Sequence, residues 1–531
     1  MNKKNLLLVL IVFVSIITGI MLGNLLSRRA IGAGVFSQKG HSKVIDLLSI
    51  IDNQYVDTVD INKMTEETMT DLVSKLDPHS VYIPAADLAA VNSELEGSFS
   101  GIGVQFNIQN DTVMIVAVIN GGPSEKVGLL AGDRIVKVND SVFVGKKITN
   151  EKVMKKLRGK EGTKVMLGIR RHGTKEILKY SITRGEIPVN SVDIAYMIEP
   201  GVGFIKVNKF AATTYSEFLS AIAKLRNQGA KKYIIDLREN PGGLMDQATN
   251  MVNEFLPAGR MIVYSQGKAY RRKEDKSDGK GSCINQPIVV LIDEFSASAS
   301  EIFSGAIQDN DRGMIIGRRS FGKGLVQQQM ELKDGSAIRL TVARYYTPSG
   351  RSIQKPYVKG KAEDYEMDIV NRYKHGEFDS KDSIHVAHSS KFKTVGGRTV
   401  YGGGGIMPDI FVPRDTTEFT PYLNKVINYG YIYQYAFQYT DRNREKMKSI
   451  KTWQQMQQYL DGQNILSDFV QFATKKGVAL NQAQLNISKR YLVEQLEAYI
   501  SRNSLGDVGF YPVLYKDDVT VKKALEQLKK K

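Results

Sequence analysis

Serine and lysine side chains that together could hydrolyse an acyl bond lie in one short part of the sequence. Ser296, Ser298 and Ser300 alternate directly after the apolar run 287–292, and Lys323 follows between two glycines. A serine hydroxyl is a poor nucleophile until a base takes its proton. Lysine can be that base when burial or a cationic neighbour keeps its amine neutral. None of the six histidines lies near the serines, so the residues favour lysine as the base.

The serines lie where an apolar strand is expected to meet a helix. A serine at the start of a helix most often caps it, and we expect one of the three to do so. The same junction exposes a side chain and presents the N–H groups of a helix N-terminus, which can bind a developing oxyanion. The pattern therefore fits both a cap and a nucleophile, and these residues alone do not choose between the serines.

A nucleotide site competes for the same lysine. Residues 317–324 almost fit the phosphate-binding pattern G-x-x-x-x-G-K-[ST]. Gly324 replaces the hydroxyl residue that would hold Mg²⁺, and the acidic strand Val289–Glu294 precedes the lysine instead of following it. Leu325 opens a run typical of a strand, whereas a phosphate loop leads into a helix. These departures disfavour the nucleotide hypothesis.

The elements around these residues have the pattern of an α/β core. From 187 to 413, apolar strands such as Gly203–Val207 and Lys232–Leu237 alternate with helical stretches. Residues 41–91 show helical periodicity instead, with apolar residues three and four positions apart. The polar stretch 357–393 is expected to be a flexible insertion.

The composition narrows the class of protein. The chain has 531 residues, 42% of them hydrophobic and 24% charged, which excludes intrinsic disorder and a collagen-like fold. Its one cysteine, Cys283, excludes an intrachain disulfide and a cysteine-based metal cluster. The formal charge of +17 is compatible with an anionic envelope surface. Basic residues after 415 are spread out, so we expect no nucleic-acid partner.

The first thirty residues indicate the compartment. Leu6–Leu26 is largely apolar and follows Lys3 and Lys4. About 20 apolar residues span a bilayer, and no clean cleavage site follows the segment. We therefore expect an uncleaved signal-anchor in preference to a cleaved signal peptide.

Short alternating strands between 96 and 186 resemble a PDZ domain of the protease-associated type. Its glycine loop would hold a peptide's C-terminal carboxylate on backbone N–H groups, and the next strand would pair with the peptide. The candidate peptide-binding residues are Gly101, Ile102, Gly103 and Val104. The pattern Leu-x-x-Gly-Asp-x-Ile, which runs from Leu129 to Ile135, makes the resemblance specific.

Four motifs in this order resemble the carboxyl-terminal processing proteases, which are PDZ-containing serine endopeptidases with a Ser–Lys dyad. The motifs are Asp236–Gly243, Ser296–Glu301, Ser320–Gly324 and Tyr346–Gln354. The resemblance extends from about Val44 to Pro413 and is weaker in the last hundred residues. Glu239 departs from the family, which often has Asn or Gly there, although its side chain need not face the site.

The resemblance implies a role for each matching residue. Ser298, the middle serine, would be the nucleophile, and Lys323, 25 positions later, the general base. Gln327 would orient the lysine. Backbone N–H groups of Gly243 and Ala299 would bind the oxyanion, and we expect the missing Cβ of Gly243 to leave room for the tetrahedral adduct. No metal and no other cofactor is expected.

The fold expected from these patterns and this resemblance is a multidomain α+β protein. It has a crotonase-like α/β spiral protease core, an inserted PDZ domain, and helical N- and C-terminal regions. The predicted domains are, in chain order, a signal-anchor or transmembrane segment at 1–30, a helical segment at 40–95, a PDZ domain at 96–186, a Ser–Lys protease core at 187–415 and a helical region at 416–531.

The expected function is a serine endopeptidase that binds protein C-terminal tails through its PDZ domain and cleaves peptide bonds. Its partners would be protein substrates with accessible tails and the membrane, and a homodimer is a further expectation. It would be anchored in the inner membrane of a bacterial cell envelope and face the periplasm or extracytoplasmic side. The alternative is a catalytically silent, membrane-tethered PDZ scaffold that binds C-termini without cutting them.

Overall fold

The computed structural model describes residues 41–109, 111–119, 121–171, 173–385 and 390–530. The predicted signal-anchor at 1–30 lies outside these residues. The described residues divide into two units, with the boundary between Leu72 and Val73. Among the described residues, no helix is long and apolar enough to cross a membrane.

Helices occupy both ends of the described chain and alternate with strands in the middle. The helices are α1 His41–Gln54, α2 Ile61–Ser74, α3 Ala85–Glu96, α4 Pro123–Lys126, α5 Asn150–Leu157, α6 Thr214–Asn227, α7 Met245–Asn253, α8 Ala299–Asp309, α9 Ala362–Glu366, α10 Asp368–Lys374, α11 Pro421–Asn428, α12 Tyr431–Met447, α13 Trp453–Asp461, α14 Ile465–Lys475, α15 Gln482–Leu505, α16 Asp507–Leu514 and α17 Val519–Lys529, with a short 3₁₀ turn at Lys381–Ser383.

The strands of the described residues form three larger sheets and two small ribbons. They are β1 Val81–Ile83, β2 Ser98–Gly101, β3 Val104–Gln109, β4 Thr112–Val118, β5 Arg134–Val138, β6 Ser141–Val142, β7 Lys164–Arg170, β8 Leu178–Thr183, β9 Gly185–Pro188, β10 Val192–Glu199, β11 Val202–Val207, β12 Lys232–Asp236, β13 Met261–Gln266, β14 Lys273–Lys276, β15 Ile288–Ile292, β16 Met314–Gly317, β17 Leu325–Glu331, β18 Ala337–Tyr346, β19 Lys391–Lys393, β20 Thr399–Tyr401 and β21 Ile410–Phe411.

The central sheet has the order β10-β11-β12-β15-β16-β21. Only β10 is antiparallel to its neighbour, and the other five strands are parallel. Parallel strands need helical crossovers, which cover both faces of the sheet and make its strands apolar throughout. All five residues of β15 are buried, as this rule requires.

Three segments with candidate functional residues leave the same edge of this sheet. The loop 237–243 follows β12, the serine junction follows β15, and the lysine loop 318–324 follows β16. These strands are neighbours and parallel, so their carboxyl ends lie side by side. Ligands of open α/β sheets bind at this edge. The order of the strands therefore brings together residues that are more than 80 positions apart in the sequence.

The lysine loop continues into a second, five-stranded sheet. β17 pairs with β18, and β18 also pairs with β1 and β13, all antiparallel. The strand predicted from Leu325 onwards is confirmed as β17. Because this strand replaces the helix that a phosphate loop would need, the structure gives no support to the nucleotide hypothesis.

The PDZ-like region forms its own sheet, in the order β3-β4-β5-β7-β8 with β6 beside β5. Its core joins strand residues such as Ile115 and Ile135 to Val153 and Leu157 of α5. β3 is at the edge of this sheet, next to β4 only. An edge strand has unpaired backbone groups that can accept another strand.

The last helix, α17, packs on one face of the central sheet. Val521, Ala524 and Leu528 of α17 pack with Val289 and Leu291 of β15, in a cluster of buried apolar residues. The opposite face of β15 packs against α7 and α8. Residues 519–529 thus complete one of the two layers that cover the sheet.

The polar stretch 357–393 was expected to be a flexible insertion, and that prediction is wrong for its first part. Helices α9 and α10 form there, with Tyr365 and Arg372 buried. The polar composition suggested an exposed, flexible segment. Arg372 instead makes buried hydrogen bonds to backbone carbonyls of the core, and a hydrophobicity pattern cannot reveal such bonds.

The packing of α17 makes a direct prediction about stability. Leu528 is 1% exposed, so Leu528→Ala should lower the free energy of unfolding by about 2–5 kcal/mol. Val519→Ala on the same helix is the control, because Val519 is 44% exposed and should change the stability by less than about 0.5 kcal/mol. Urea denaturation measures both, and equal effects would contradict the packing of α17 on the sheet.

Candidate active site

The serine junction is a tight turn between β15 and α8. Ser298 has φ 55° and ψ −113°, a left-handed conformation that costs a residue other than glycine about 1–3 kcal/mol. The turn is held by its neighbours, because Ser296 and Ser300 are completely buried and donate to the carbonyls of Leu237 and Asn240. Of the three serines, only Ser298 keeps a partly exposed side chain. The geometry therefore singles out Ser298.

Glu301 links the serine junction to the lysine loop. Its carboxyl group accepts the backbone N–H of Ser298 at 2.9 Å and the backbone N–H of Lys323 at 2.8 Å. It also accepts the N–H of Gly322 at 2.8 Å and the hydroxyl of Ser320 at 2.5 Å. Glu301 is completely buried, and burial raises its pKa to about 7 although these four donors act in the opposite direction.

Tyr345 makes the complementary link through the carbonyl groups. Its hydroxyl lies 3.0 Å from the carbonyl oxygen of Ser298 and also hydrogen-bonds to the carbonyl oxygen of Lys323. The tyrosine is 1% exposed and comes from β18. The backbones of Ser298 and Lys323 are thus bridged twice, once through their N–H groups and once through their carbonyls.

The Lys323 amine is held on the side of the site that faces β17. It donates to Oε1 of Gln327 at 3.0 Å, and Nε2 of Gln327 donates to the carbonyl oxygen of His79. Among the described residues, no hydrogen bond joins Ser298 Oγ to Lys323 Nζ. Catalytic hydrogen bonds are often long in an unliganded site and tighten when substrate binds.

The surroundings of Lys323 favour a neutral amine. Burial lowers the pKa of Lys323 below its usual range, and the charge of Arg339 lowers it further. The carboxyl groups of Glu301 and Asp77 act in the opposite direction. A lysine with a lowered pKa can accept a proton at a lower pH than a free lysine. Burial and the charge of Lys323 also lower the pKa of His79 to about 4.

Two backbone N–H groups beside Ser298 have no acceptor among the described residues. They belong to Gly243 and to Ala299, the first residue of α8. Asn240 fixes the loop that carries Gly243, because its side chain accepts the N–H of Gly242 at 2.8 Å and its carbonyl accepts the N–H of Ala297 at 3.0 Å. Free N–H groups at a helix N-terminus can stabilise a developing oxyanion.

The structure gives a further reason for a glycine at 243, and room for the tetrahedral adduct stays a prediction. A Cβ on Gly243 would lie 2.0 Å from the carbonyl oxygen of Phe210, so the missing side chain allows close approach to Phe210. Gly242 is the residue whose Cβ would collide with Ser298, at 2.7 Å from its Cβ. Glu239 is exposed and lines a separate cavity, so its departure from the family pattern does not reach the serine.

One cavity of 520 Å³ brings the predicted residues together. Ser298, Lys323, Gln327 and Gly243 all line it. Its apolar wall is formed by Phe210, Leu244, Met245, Ile302, Leu325 and Val326. The described residues contain no group of three or more acidic, histidine or cysteine side chains placed to hold a metal ion. The arrangement places a serine hydroxyl, a lysine amine and the backbone of Gly243 around one cavity.

The predicted peptide-binding loop lies in the PDZ-like region. Gly101 ends β2, and Val104 begins the edge strand β3. Between them, the N–H groups of Ile102 and Gly103 have no acceptor among the described residues. The loop is held through its carbonyls, since the N–H of Ser124 donates to Ile102 at 2.9 Å. The loop thus presents two N–H groups without acceptors, those of Ile102 and Gly103, next to the edge strand β3.

Sequence reasoning overlooked the residues that hold Ser298 and Lys323 in place. Glu301 follows Ser298 by three positions, the spacing of a helix capping box, so its N-terminal role could have been predicted. No local pattern marks Tyr345 or the carbonyl of His79, because their partners are distant in sequence. The ring of His79 lies 3.0 Å from the Tyr365 hydroxyl.

Comparisons with known proteins identify three parts of the chain. Residues 201–367 match the model of peptidase family S41, residues 100–182 match a PDZ domain, and residues 422–506 match a family of unknown function. These matches follow the chain order of the sheets and of the C-terminal helices described above.

Two curated relatives are similar over the same region. A "Carboxy-terminal-processing protease" of Bartonella bacilliformis is 38% identical over 317 residues, 58% of this chain and 71% of that protein. A "Probable CtpA-like serine protease" of Staphylococcus aureus strain N315 is 34% identical over 336 residues, 63% of this chain. The alignment covers 66% of the Staphylococcus protein, just under two thirds of its length. A solved photosystem II D1 C-terminal processing protease is 24% identical, with a TM-score of 0.37 over 70% of this chain and 93% of that chain.

The burial of Glu301 predicts how stability changes with pH. Its folded pKa of about 7 lies above the ordinary 4.5, so the folded state binds more protons and stability falls as pH rises between these values. The shift corresponds to about 3 kcal/mol. Glu301→Gln cannot ionise and should lose this part of the pH dependence.

Unfolding by urea at a series of pH values from 5 to 8 measures this effect. The difference in unfolding free energy between wild type and Glu301→Gln should shift in favour of the variant as pH rises to about 7 and then level off. Parallel curves for the two proteins would contradict the raised pKa.

Proposed function

The chain belongs to the carboxy-terminal-processing proteases of peptidase family S41, and on this premise we propose that it is a serine endopeptidase with a Ser298–Lys323 dyad. The observation that carries the proposal is the shared cavity. Ser298 and Lys323 line it together with Gln327, and two N–H groups without acceptors, those of Gly243 and Ala299, lie beside the serine. These are the parts that acyl transfer requires.

The proposed reaction begins at the hydroxyl of Ser298. The neutral amine of Lys323 takes the hydroxyl proton while Oγ attacks the substrate carbonyl carbon. The negative charge that forms on the carbonyl oxygen is stabilised by the N–H groups of Gly243 and Ala299. The C–N bond then breaks, and Lys323 returns the proton to the leaving amine. Water, deprotonated by the same lysine, hydrolyses the acyl-enzyme and restores Ser298.

Gln327 would act on the lysine and not on the substrate. Its Oε1 accepts from Lys323 Nζ at 3.0 Å, which fixes the end of a long, flexible side chain. A fixed amine loses less entropy when it meets the serine, and correct placement of reacting groups is worth several kcal/mol in catalysis.

The PDZ domain would select substrates by their C-terminal tails. The free N–H groups of Ile102 and Gly103 can bind a terminal carboxylate, and β3 can pair with the extended tail, as in other complexes formed by strand addition. Gly101 and Val104 flank these donors. The substrate class would therefore be proteins with an accessible, unstructured C-terminus.

Location, assembly and the finer class of the fold are part of the same proposal. The apolar segment Leu6–Leu26 behind two lysines supports an anchor in the inner membrane, with the protease on the periplasmic or extracytoplasmic side. We also propose a homodimer. The β–α alternation of the central sheet supports a crotonase-like spiral core.

Substitution of the dyad tests the proposal. Ser298→Ala and Lys323→Ala should each lower kcat/KM for an unstructured substrate protein by about 10³-fold or more, since each removes a group needed for acyl transfer. Ser304→Ala, a buried serine later in α8, and Lys333→Ala, an exposed lysine, are the matched controls and should cleave at nearly the wild-type rate. A wild-type protein that binds tails without cleaving them would support the silent scaffold instead.

The pH profile tests the identity of the base. Only the neutral amine can accept the serine proton, so kcat/KM should rise with pH through the pKa of Lys323 and then level off. Because burial lowers this pKa, the plateau should begin below pH 10.5, the ordinary value for lysine. A rate that falls as pH rises from 6 to 9 would contradict lysine as the base.

The peptide-binding loop gives a separate prediction. Gly103 has φ 75°, and a Cβ there would lie 2.9 Å from Ile187, so Gly103→Ala should distort the loop and weaken tail-peptide binding by about 10-fold or more. Gly162→Ala is the control, because Gly162 has φ 79° with open space around it. Fluorescence anisotropy with a labelled peptide measures both, and equal affinities would contradict the assignment of the loop.

A further inference from the structure

Three buried charges lie directly behind the lysine loop. Glu377 accepts from Nε and Nη2 of Arg319 at 2.7 and 2.6 Å, and from Nε of Arg372 at 2.8 Å. All three residues are at least 94% buried. A buried ion cluster contributes little net stability, because desolvation offsets the attraction between its charges. The position of this ion cluster behind the lysine loop therefore says more about its role than its contribution to stability does.

Arg372 uses its remaining N–H groups to hold the loop itself. Nη2 donates to the carbonyl oxygen of Arg319 at 2.7 Å, and Nη1 donates to the carbonyl oxygen of Ser320 at 3.1 Å. These carbonyls precede Lys323 by only three and four residues. On the other side of the loop, Glu301 accepts the hydroxyl of Ser320. The loop is thus fixed from two sides, by α8 and by α10.

The same helical segment reaches the lysine by a second route. Tyr365 of α9 is buried, and its hydroxyl lies 3.0 Å from Nε2 of His79. The carbonyl of His79 accepts from Gln327, which in turn accepts from the Lys323 amine at 3.0 Å. Lys355 packs on the ring of Tyr365 at 4.0 Å and fixes it further. This series of contacts fixes the Lys323 amine, whereas Arg372 fixes the backbone of the lysine loop.

We propose that Arg372 and Tyr365 are positioning residues for the lysine base, and that the segment 362–377 is a support for the active site. The inference rests on the proposed function, in which Lys323 is the base. Neither side chain lines the cavity that holds Ser298, so each acts through another residue. Arg372 and Glu377 also lie beyond residues 201–367, the part that matches family S41.

The proposal predicts an effect on kcat alone. A loop released from Arg372 lets Lys323 move relative to Ser298, and a displacement of about 1 Å at a reacting group can cost up to about 10²-fold in rate. Substrate binding uses the PDZ loop and the apolar wall, which Arg372 does not touch, so KM should stay within about twofold. A merely structural role would lower the amount of folded enzyme without this division between kcat and KM.

The test uses two conservative variants of the full chain and one control for each. Arg372→Lys keeps the charge but loses the planar fork that reaches two carbonyls, and Tyr365→Phe removes only the hydroxyl. Arg414→Lys and Tyr373→Phe are the controls, because Tyr373 is exposed and Arg414, whose side chain is 37% exposed, lies over the Tyr373 ring. Kinetics are measured with a fluorescent, unstructured reporter protein at a temperature where circular dichroism shows each variant to be folded.

We expect kcat to fall on the order of 10-fold in Arg372→Lys and in Tyr365→Phe, with both controls unchanged. A kcat within twofold of wild type in Arg372→Lys would overturn the proposal, as would a change in KM alone. If Arg372→Lys does not fold, Tyr365→Phe decides by the same criteria.

A crystal structure of Arg372→Lys separates this inference from the proposed function. Displacement or disorder of residues 319–323 would support the positioning role even if wild type showed no hydrolysis. An unmoved loop would overturn it whatever the activity. Loss of activity in Ser298→Ala, measured beside these variants, shows independently whether the proposed reaction is the one observed.

Discussion

The distance between the backbones of Ser298 and Lys323 depends on two buried side chains, Glu301 and Tyr345. Glu301 accepts the N–H groups of both residues, and Tyr345 reaches the carbonyls of both. Neither side chain is free to relax, because both are buried and a lost hydrogen bond there would leave a polar group unsatisfied. The serine's left-handed backbone is sustained by the same contacts. The backbones of Ser298 and Lys323, the proposed nucleophile and base, are therefore placed by the protein interior and not by each other.

The central sheet makes this arrangement possible. Its parallel strands β12, β15 and β16 end at one edge, so the loop of Gly243, the turn of Ser298 and the loop of Lys323 meet there. The last helix, α17, covers one face of the sheet although it lies more than 200 residues after β15. The support behind the lysine loop comes from α9 and α10. The central sheet and the helices packed on it thus all contribute to the positions of Gly243, Ser298 and Lys323.

The sequence identified the candidate site residues more completely than the contacts that position them. Motifs pointed to Ser298, Lys323 and Gln327, and the structure gathers them around one cavity. The α/β core, the PDZ strands and the strand at Leu325 followed from local patterns of apolar residues. The roles of Ser298, Lys323 and Gln327 in catalysis stay predictions until they are measured.

What the sequence could not reveal depends on contacts between distant residues. Tyr345 lies 44 positions after Glu301, and no local pattern relates them. Gly243 has no room for a side chain because the carbonyl oxygen of Phe210 lies against it, and Phe210 belongs to a different loop, the one after β11. The segment around Arg372 looked like a flexible insertion, because its buried partners are backbone carbonyls that carry no signature in the sequence.

The most direct test of this account is a crystal structure of the protein with a peptide boronate bound covalently to Ser298. The account predicts a boron–oxygen bond to Oγ, with the adduct's anionic oxygen about 2.7–3.1 Å from the N–H groups of Gly243 and Ala299. It also predicts Lys323 Nζ within about 3.2 Å of Oγ. An adduct whose oxygen points away from both N–H groups, with the Lys323 amine remote from Oγ, would contradict it.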